Sequence, residues 1–311
     1  MHAWTDGHAA SGTDCIMPAD EPWASVPWLG PAVAAAMPDA PRFTRDDFIR
    51  IRELLLERTG IALRPEKQAM VYARLVAQVR GLGLQRFSDY VELLRDRGHA
   101  QWSGFISALT TNFTAFFREP HHFPVLAELS QRTAPAPFTV WSAGCATGEE
   151  PYSIAIALVE RFARTDPPVR VVATDIDERA LADARSGIYP ADAIDMLGAG
   201  LRRRYFLRGT GEHEGFVKVR PELARLVSFA TLNLCEQGWD APGEYDAIFC
   251  RNVMIYLDRD VQRRVLERLA VRLKPHGLLF SGHSENLLST ASDLFRQRDR
   301  TVYEAAPHHA A

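Results

Sequence analysis

The stretch Val140-Trp-Ser-Ala-Gly-Cys-Ala-Thr-Gly-Glu-Glu-Pro-Tyr152 decides the fold. Its apolar start predicts a buried strand, and Gly144 and Gly148 predict a tight loop whose backbone comes close to a ligand. Pro151 suits the first turn of the helix that follows. A strand, a glycine loop and a helix in immediate succession are typical of a nucleotide-cofactor site, which can hold a dinucleotide, a phosphate or S-adenosylmethionine.

Beyond residue 115, helical segments alternate with short apolar runs, which predicts a doubly wound α/β sheet. The predicted strands span residues 138–143, 169–175, 226–232, 245–250, 277–281 and 301–305. Two further β runs, at 205–209 and 216–220, flank the Gly-rich stretch 210–215. They predict a hairpin inserted in the α/β domain at about 203–222.

A small helical bundle is predicted before this domain, over residues 42–114. Thr44 and Asp47 form a capping pair at the start of its first helix, which Gly60 ends. The apolar spacing predicts three more helices, from Pro65 to near Gly81, from Ser88, and over 102–109.

Residues 1–41 contain five acidic residues and neither Lys nor Arg, and they show no helical or strand period. They predict a disordered acidic tail, most simply a dispensable extension. The alternative is a short partner-binding segment anchored by Trp23 and Trp28, with Trp4 a third isolated tryptophan.

The charge and cysteine content exclude several classes of function. A net charge of −3 over 311 residues gives no general attraction to nucleic acid or to an anionic membrane. The four cysteines lack the paired spacing of a zinc or redox site, which predicts a reducing compartment. The sequence has no membrane-spanning run and no signal peptide, so we expect a cytoplasmic protein that does not insert into the membrane.

Acidic residues follow the second predicted strand of the α/β domain. Asp175 ends this strand, where a carboxylate can accept hydrogen bonds from both hydroxyls of an adenosine ribose. Asp177 is better explained as the N-cap of the next helix.

The carboxylates of Glu149 and Glu150 lie where a dinucleotide would place its pyrophosphate, and they would repel it. They suit the cationic methionine end of S-adenosylmethionine instead. Simple compensation of the helix dipole is the alternative explanation for both.

The strand predicted at 245–250 ends in polar residues. Because the carboxyl ends of parallel strands line the ligand crevice, Cys250, Arg251 and Asn252 should face the site. Tyr256 lies one turn further on, and a packed aromatic with a hydrogen-bonded hydroxyl would explain it equally well.

Four separated motifs, in order, resemble the CheR-type chemoreceptor glutamate methyltransferases of bacterial chemotaxis. The motifs lie at Thr110–Glu119, Gly144–Tyr152, Ala173–Asp177, and Cys250–Tyr256 with Leu273–Asn286. The resemblance runs from about residue 42 to about 306. It implies a Rossmann-like class I methyltransferase domain with an inserted antiparallel β-subdomain, at 115–311, behind an all-α domain.

The resemblance also implies S-adenosylmethionine as the cofactor and S-adenosylhomocysteine as the product. The residues that it implies around the cofactor are Asn112, Thr114, Arg118, Gly144, Glu149, Asp175, Asn233, Leu234, Cys250, Arg251 and Asn252. It places Arg118 and Tyr256 nearest the transferred methyl group, as the catalytic pair. Arg118 would hold the acceptor carboxylate, although a structural ion pair is the alternative.

No metal is expected. A glutamate acceptor is already ionised at neutral pH and needs neither a metal nor a base. His121 and His122 are best explained as a solvated helix start, and His283 as local structure.

The implied partners are chemoreceptor cytoplasmic helices that carry acceptor glutamates, and we expect a monomer recruited to membrane receptor arrays. Residues 42–100, with 12 Lys or Arg against 8 Asp or Glu, could steer an acidic helix. The arginines available for this are Arg74, Arg80, Arg86, Arg95 and Arg97. The turn at Thr210–Gly215 resembles that of family members that bind a receptor C-terminal pentapeptide as an added edge strand.

Two alternatives remain open from the sequence. The first is an NAD-dependent oxidoreductase, which shares the strand, loop and helix. The second is a non-catalytic receptor-binding module that has lost activity.

Overall fold

The apolar runs of the chain form strands in a computed structural model, which describes residues 4–5, 40–96, 98–132, 137–164, 166–239 and 243–306. The strands are β1 Trp4–Thr5, β2 Phe138–Ala143, β3 Val169–Asp175, β4 Ile188–Pro190, β5 Phe206–Gly209, β6 Phe216–Val219, β7 Val227–Thr231, β8 Tyr245–Cys250, β9 Leu273–Ser281, β10 Phe295–Asp299 and β11 Val302–Ala305. The helices are α1 Arg45–Thr59, α2 Gln68–Gly81, α3 Phe87–Leu93, α4 Gln101–Leu109, α5 His122–Arg132, α6 Glu149–Phe162, α7 Glu178–Ser186, α8 Ala199–Tyr205, α9 Pro221–Ala224, α10 Arg259–Arg272 and α11 Leu288–Ala291.

Seven strands form the large sheet, in the order β10-β11-β9-β8-β2-β3-β7. The five strands from β9 to β7 are parallel, and β10 and β11 are antiparallel additions at one edge. The chain runs outward from β2 to β3 and β7, then returns to β8 on the other side of β2. The strand order therefore reverses between β2 and β8, where a doubly wound fold opens its ligand crevice.

Alternate residues of the central strands pack into two separate cores. Val140, Phe249 and Leu278 belong to the core that α5, α6 and α7 cover. Trp141 and Leu279 belong to the core covered by α10 and α11 on the opposite face. Because both faces are largely buried, these strands are mostly apolar, and this explains why the sequence revealed them.

The predicted strands at 138–143, 169–175 and 245–250 are confirmed at the same bounds. The strand β10 was not predicted. Only its first residue is buried and the next four are exposed, so this edge strand has no apolar run. The predicted inserted hairpin is confirmed as the antiparallel pair β5 and β6.

The hairpin belongs to a second, four-stranded sheet with the order β1-β5-β6-β4. Its outer strands, β1 and β4, contain two and three residues and were too short to show a period. Trp4 and Thr5 therefore depart from the predicted disordered tail. Trp23, Trp28 and most of residues 1–41 lie outside the described residues.

The helices α2 to α4 and most of α1 belong to a compact unit, whose described residues run from 40 to Glu57 and from Leu63 to Thr110. The predicted capping pair begins α1: the Thr44 backbone N–H and hydroxyl both donate to Asp47 Oδ2, at 2.8 and 2.7 Å. Gly60, at φ +71°, follows the end of α1. Arg74 was considered above as a steering residue. Its Nη1 donates to the Ala108 and Thr110 carbonyls, so its guanidinium is already hydrogen-bonded within this unit.

The second unit contains Trp4 and Thr5, residues Arg58–Ala62 and the described chain from Thr111 onward. It holds both sheets. Within the described parts of the chain, no helix combines the length and apolarity needed to cross a membrane.

Candidate active site

The loop between β2 and α6 lies at the reversal of strand order. Gly144 and Gly148 adopt φ values of +87° and +98°, which confirms the predicted tight turn. A side chain at Gly144 would collide with Val253, and one at Gly148 would lie 2.8 Å from Ala184 Cβ. The two glycines therefore also allow the loop to pack closely against protein neighbours.

Asp175 holds this loop against the end of β3. Its Oδ2 accepts from the Ala146 backbone N–H at 2.8 Å, and its Oδ1 accepts from that of Asp177 at 2.9 Å. Burial raises the pKa of this carboxyl. Each carboxylate oxygen has a second lone pair, so it can still accept a hydrogen bond from a ribose hydroxyl. That contact stays a prediction.

Asp177 is the N-cap of α7, as predicted. Its Oδ1 accepts from the backbone N–H groups of Arg179 and Ala180, at 3.0 and 3.3 Å. The other oxygen accepts from the Asn112 side chain at 2.7 Å. The amide of Asn112 is thereby oriented by a buried carboxylate, and the half-buried Thr114 lies two residues further along the same segment.

The carboxylates of Glu149 and Glu150 have different partners. Glu150 is buried, accepts from Ser142 Oγ at 2.6 Å and pairs with Arg251 Nε at 2.7 Å. Glu149 accepts from the Thr147 hydroxyl at 2.7 Å, and burial raises its pKa. The prediction of a paired negative charge facing the cofactor therefore reduces to Glu149 alone, because the charge of Glu150 is compensated within the protein.

Two nitrogens of Arg251, Nε and Nη1, are engaged by neighbouring protein groups. Besides Glu150, it donates from Nη1 to the Arg118 carbonyl at 2.7 Å and to His122 Nδ1 at 3.1 Å. Its side chain is 2% exposed. These bonds give Arg251 a positioning role, and direct contact with the cofactor stays a prediction.

His122 corrects the expectation of a solvated helix start. It does begin α5, but it is completely buried. Because Arg251 can only donate, Nδ1 must accept, so the ring proton lies on Nε2 and is donated to Thr301 Oγ1 at 2.7 Å. Burial, followed by the charge of Arg251, lowers the pKa of His122 from 6.5 to about 3.

Glu285 is a site residue that the sequence analysis missed. It is buried, and its carboxylate accepts from the backbone N–H groups of Gly282, Asn252 and Met254, at 2.6 to 2.9 Å. Asn252 has a left-handed φ of +59°, which these bonds hold in place. The signal available in the sequence was the one used for Asp175, an acidic residue soon after the end of a strand.

Arg118 has no carboxylate partner within 4 Å among the residues that the structure describes, which does not support the alternative of a structural ion pair. Its Nη1 donates to the Phe113 carbonyl at 2.9 Å, and its guanidinium lies 5.7 Å from the centre of the Phe113 ring. Phe113 itself is 75% exposed. The cation is thus oriented by a neutral group and keeps donors available for an anion.

Tyr256 and the segment around Asn233 complete the predicted site residues. Tyr256 lies in a short 3-10 turn, Met254–Tyr256, and is 38% exposed. Asn233 donates to the Arg58 carbonyl at 2.7 Å and accepts from the Cys235 backbone N–H at 2.9 Å. Leu234 is buried beside it. The structure thus anchors the Asn233 amide to the backbone, while cofactor contact stays a prediction.

The two thiols at the crevice are not poised as nucleophiles. Cys145 and Cys250 are both buried, and burial raises the pKa of each thiol. Both therefore remain protonated at neutral pH.

The side chains of Glu119, His121 and His122 offer ligand atoms within 4.8 Å of one another. Such a cluster is one geometry that a metal ion could use. Here Arg251 donates to His122 Nδ1, so a cation at that nitrogen would displace a guanidinium hydrogen bond. Glu119 Oε1 in turn accepts from the His283 backbone N–H at 3.0 Å. These bonds favour a structural role for the cluster.

The donor groups at the crevice fit S-adenosylmethionine. Glu149 is a half-buried carboxylate with a raised pKa, and a positively charged ligand nearby would offset the cost of removing it from water. Asp175 ends the strand next to β2, where a ribose is held in this fold. Glu149 would hold the methionine group of the cofactor and Asp175 its ribose, and the loop from Gly144 would lie between them.

Comparison with known proteins agrees with the assignment of this site to S-adenosylmethionine. Residues 112–303 match the family model described as CheR methyltransferase, SAM binding domain, and residues 46–110 match CheR methyltransferase, all-alpha domain. Chemotaxis protein methyltransferase 2 of Pseudomonas aeruginosa is 50% identical over 85% of this chain and 94% of its own length. The chemotaxis protein methyltransferase of Escherichia coli is 50% identical over 82% and 89%. The domain that carries the site is thus an S-adenosylmethionine-binding domain.

We predict that cofactor affinity depends on the ionisation of Glu149. Because its pKa is raised above 4.5, protonation at low pH removes the charge that attracts a cation, so affinity should fall as the pH is lowered from 7.5 towards 5. Glu149→Gln should bind S-adenosylmethionine roughly tenfold more weakly at pH 7.5 and lose most of this pH dependence. Isothermal titration calorimetry measures both, with the exposed Glu178→Gln as the control. An unchanged pH dependence in Glu149→Gln would contradict the assignment.

We also predict that the neutral His122 makes the protein less stable in acid. The unfolded chain takes up a proton at about pH 6.5, whereas the folded chain does so only near 3, so stability falls as pH drops below 6.5. The free energy of unfolding of the wild type, relative to His122→Gln, should therefore decrease between pH 7.5 and pH 5. Urea unfolding followed by circular dichroism tests this. His276→Gln controls for the loss of an exposed imidazole. If the difference in free energy of unfolding between the wild type and His122→Gln stayed constant from pH 7.5 to pH 5, the prediction would be refuted.

Proposed function

Because the chain belongs to the CheR family of S-adenosylmethionine-dependent methyltransferases, we propose that it methylates the γ-carboxylate of glutamates in the cytoplasmic helices of chemoreceptors. The product would be a glutamyl methyl ester that serves sensory adaptation. The names of the relatives, chemotaxis protein methyltransferases, support a chemotaxis substrate. The chain would thus act as a protein-glutamate O-methyltransferase.

The orientation of Arg118 carries the proposal of a carboxylate acceptor. The guanidinium is held by the Phe113 carbonyl and lies over the Phe113 ring, both of which are neutral. No carboxylate of the described chain lies within ion-pair distance of it. A positive charge held in this way can bind one oxygen of an acceptor carboxylate and leave the other oxygen free to react.

The chemistry of a glutamate acceptor matches the rest of the crevice. A glutamate side chain has a pKa of about 4.3, so it is ionised at neutral pH and needs no general base. His122 has both ring nitrogens engaged, and the thiols of Cys145 and Cys250 stay protonated. Bound S-adenosylmethionine supplies a methyl group on a positively charged sulfur. The protein's task is then to align the acceptor and exclude water.

Tyr256 is the second residue that we propose to act on the acceptor. Its aromatic ring is more than one-third exposed, in the turn that follows β8 and the left-handed Asn252. The carbonyl of Tyr256 accepts from the Ala62 backbone N–H at 2.8 Å, which fixes the backbone of this turn. The side chain would flank the acceptor carboxylate and close one side of it to water.

A further contact with the receptor would involve the small sheet. We propose that a receptor C-terminal pentapeptide adds as an edge strand beside the hairpin of β5 and β6, and that this recruits a monomeric enzyme to receptor arrays. Arg208 on β5 and Lys218 on β6 suit a peptide that ends in a carboxylate. Such a tether would raise the local concentration of enzyme without a tight contact at the active site.

The proposed reaction is tested with methyl-labelled S-adenosylmethionine and receptor cytoplasmic fragments from the same host. We expect label in the receptor fragment that mild base releases as methanol, because a glutamyl methyl ester is base-labile. Label that resists base would point to a different acceptor. No incorporation with any receptor of the host would refute the proposal.

Arg118→Ala should lower kcat/KM for the receptor on the order of 100-fold, because the acceptor carboxylate loses its alignment. Binding of S-adenosylmethionine should change much less. Arg118→Lys keeps the charge without the planar fork and should be intermediate. Arg170, exposed near the amino end of β3, gives a matched control as Arg170→Ala. Full turnover in Arg118→Ala would remove this residue from the mechanism.

A further inference from the structure

The edge of β5 is covered by the beginning of the chain itself. The strand β1 pairs antiparallel with β5, with Trp4 opposite Gly209 and Thr5 opposite Arg208. The other side of β5 pairs with β6. Without β1, the backbone groups along one side of β5 would form the open edge of this sheet.

The side chain of Trp4 contacts residues of the inserted hairpin. Its ring stacks on the His213 imidazole, with 4.8 Å between ring centres and an angle of 18° between the planes. Lys218 Nζ lies 5.8 Å from the centre of the Trp4 ring. A backbone edge, an aromatic platform and a cation together fit an extended peptide with an aromatic side chain.

The pairing is also short enough to be reversible. Two residues supply only a few backbone hydrogen bonds, and each makes a small net contribution to stability because water competes for the same groups. Residues 6–39 connect this strand to the rest of the chain, so the segment remains close when it leaves the edge. A segment tethered in the same chain competes as an intramolecular ligand, whatever the protein concentration.

We infer that the edge of β5 is a peptide-binding site whose resident occupant is this chain's own N-terminal strand. Trp4 and Thr5 close the site to other extended peptides, and a peptide gains access only when they leave. The identity of the competing peptide, a receptor C-terminal pentapeptide, rests on the proposed function. The occupancy itself rests only on the pairing and on the contacts of Trp4.

The first test is hydrogen exchange followed by mass spectrometry on the full chain, on Trp4→Ala and on a variant lacking residues 1–7. The segment Phe206–Gly209 should exchange about fivefold faster or more in both variants, since its outer edge loses a partner. Trp23→Ala removes a tryptophan elsewhere in the first 41 residues and should leave this exchange unchanged. Equal exchange in the full chain and in the deletion variant would overturn the inference.

The second test uses a fluorescently labelled peptide, Met1–Gly7 of this chain, as the probe. It should bind the deletion variant at least about fivefold more tightly than the full chain, because the resident strand lowers the fraction of open sites. The same peptide with Ala in place of Trp should bind more weakly. Equal binding to both proteins, or binding to neither, would overturn the inference.

These results are independent of the methylation assay. Failure to methylate any receptor would refute the proposed function and would leave the exchange of Phe206–Gly209 as measured. Unchanged exchange would refute the inference about β1 and would leave methyl transfer untouched.

Discussion

A carboxylate and a guanidinium, both buried, meet where the order of strands reverses. Glu150 at the start of α6 pairs with Arg251 at the end of β8, and each has further partners, Ser142 for the acid and His122 for the base. Removing two charges from water is costly, and removing one partner of such a pair costs about 3–5 kcal/mol. The pair is tolerated because both oxygens of Glu150 and two nitrogens of Arg251 are hydrogen-bonded. It fixes the loop after β2 relative to the segment that carries Arg118.

This constraint divides the charged groups of the crevice into two sets. Glu150, Arg251 and His122 satisfy one another and are closed to solvent. Glu149 and Arg118 are held by neutral partners, Thr147 and Phe113, and so retain a charge for a ligand. The negative group suits a cationic cofactor, and the positive group suits an acidic acceptor. Glu285 fixes the left-handed Asn252 in a similar way, by accepting three backbone N–H groups.

Much of the fold followed from local patterns. The strands β2, β3 and β8 were correct to the residue because strands buried on both faces are mostly apolar. The capping pair of Thr44 and the N-cap Asp177 were correct because both depend on residues at most three positions apart. The strands β1, β4 and β10 were missed, since two are very short and the third is mostly exposed. These strands are held by their neighbours in the sheet and not by their own sequence.

The sequence by itself determined the strand, glycine loop and helix, the alternation that gives a doubly wound sheet, and the motifs that identify the family. It also placed candidate residues at the ends of the right strands. Only the tertiary structure decided which charges neutralise one another: Glu150 meets a residue 101 positions away, and His122 is buried against Arg251 instead of facing solvent. Only the tertiary structure brought Trp4 to the edge of β5. The reason is that local periods are set by backbone geometry, whereas the partner of a charge or of a strand edge depends on which distant segments the topology brings together.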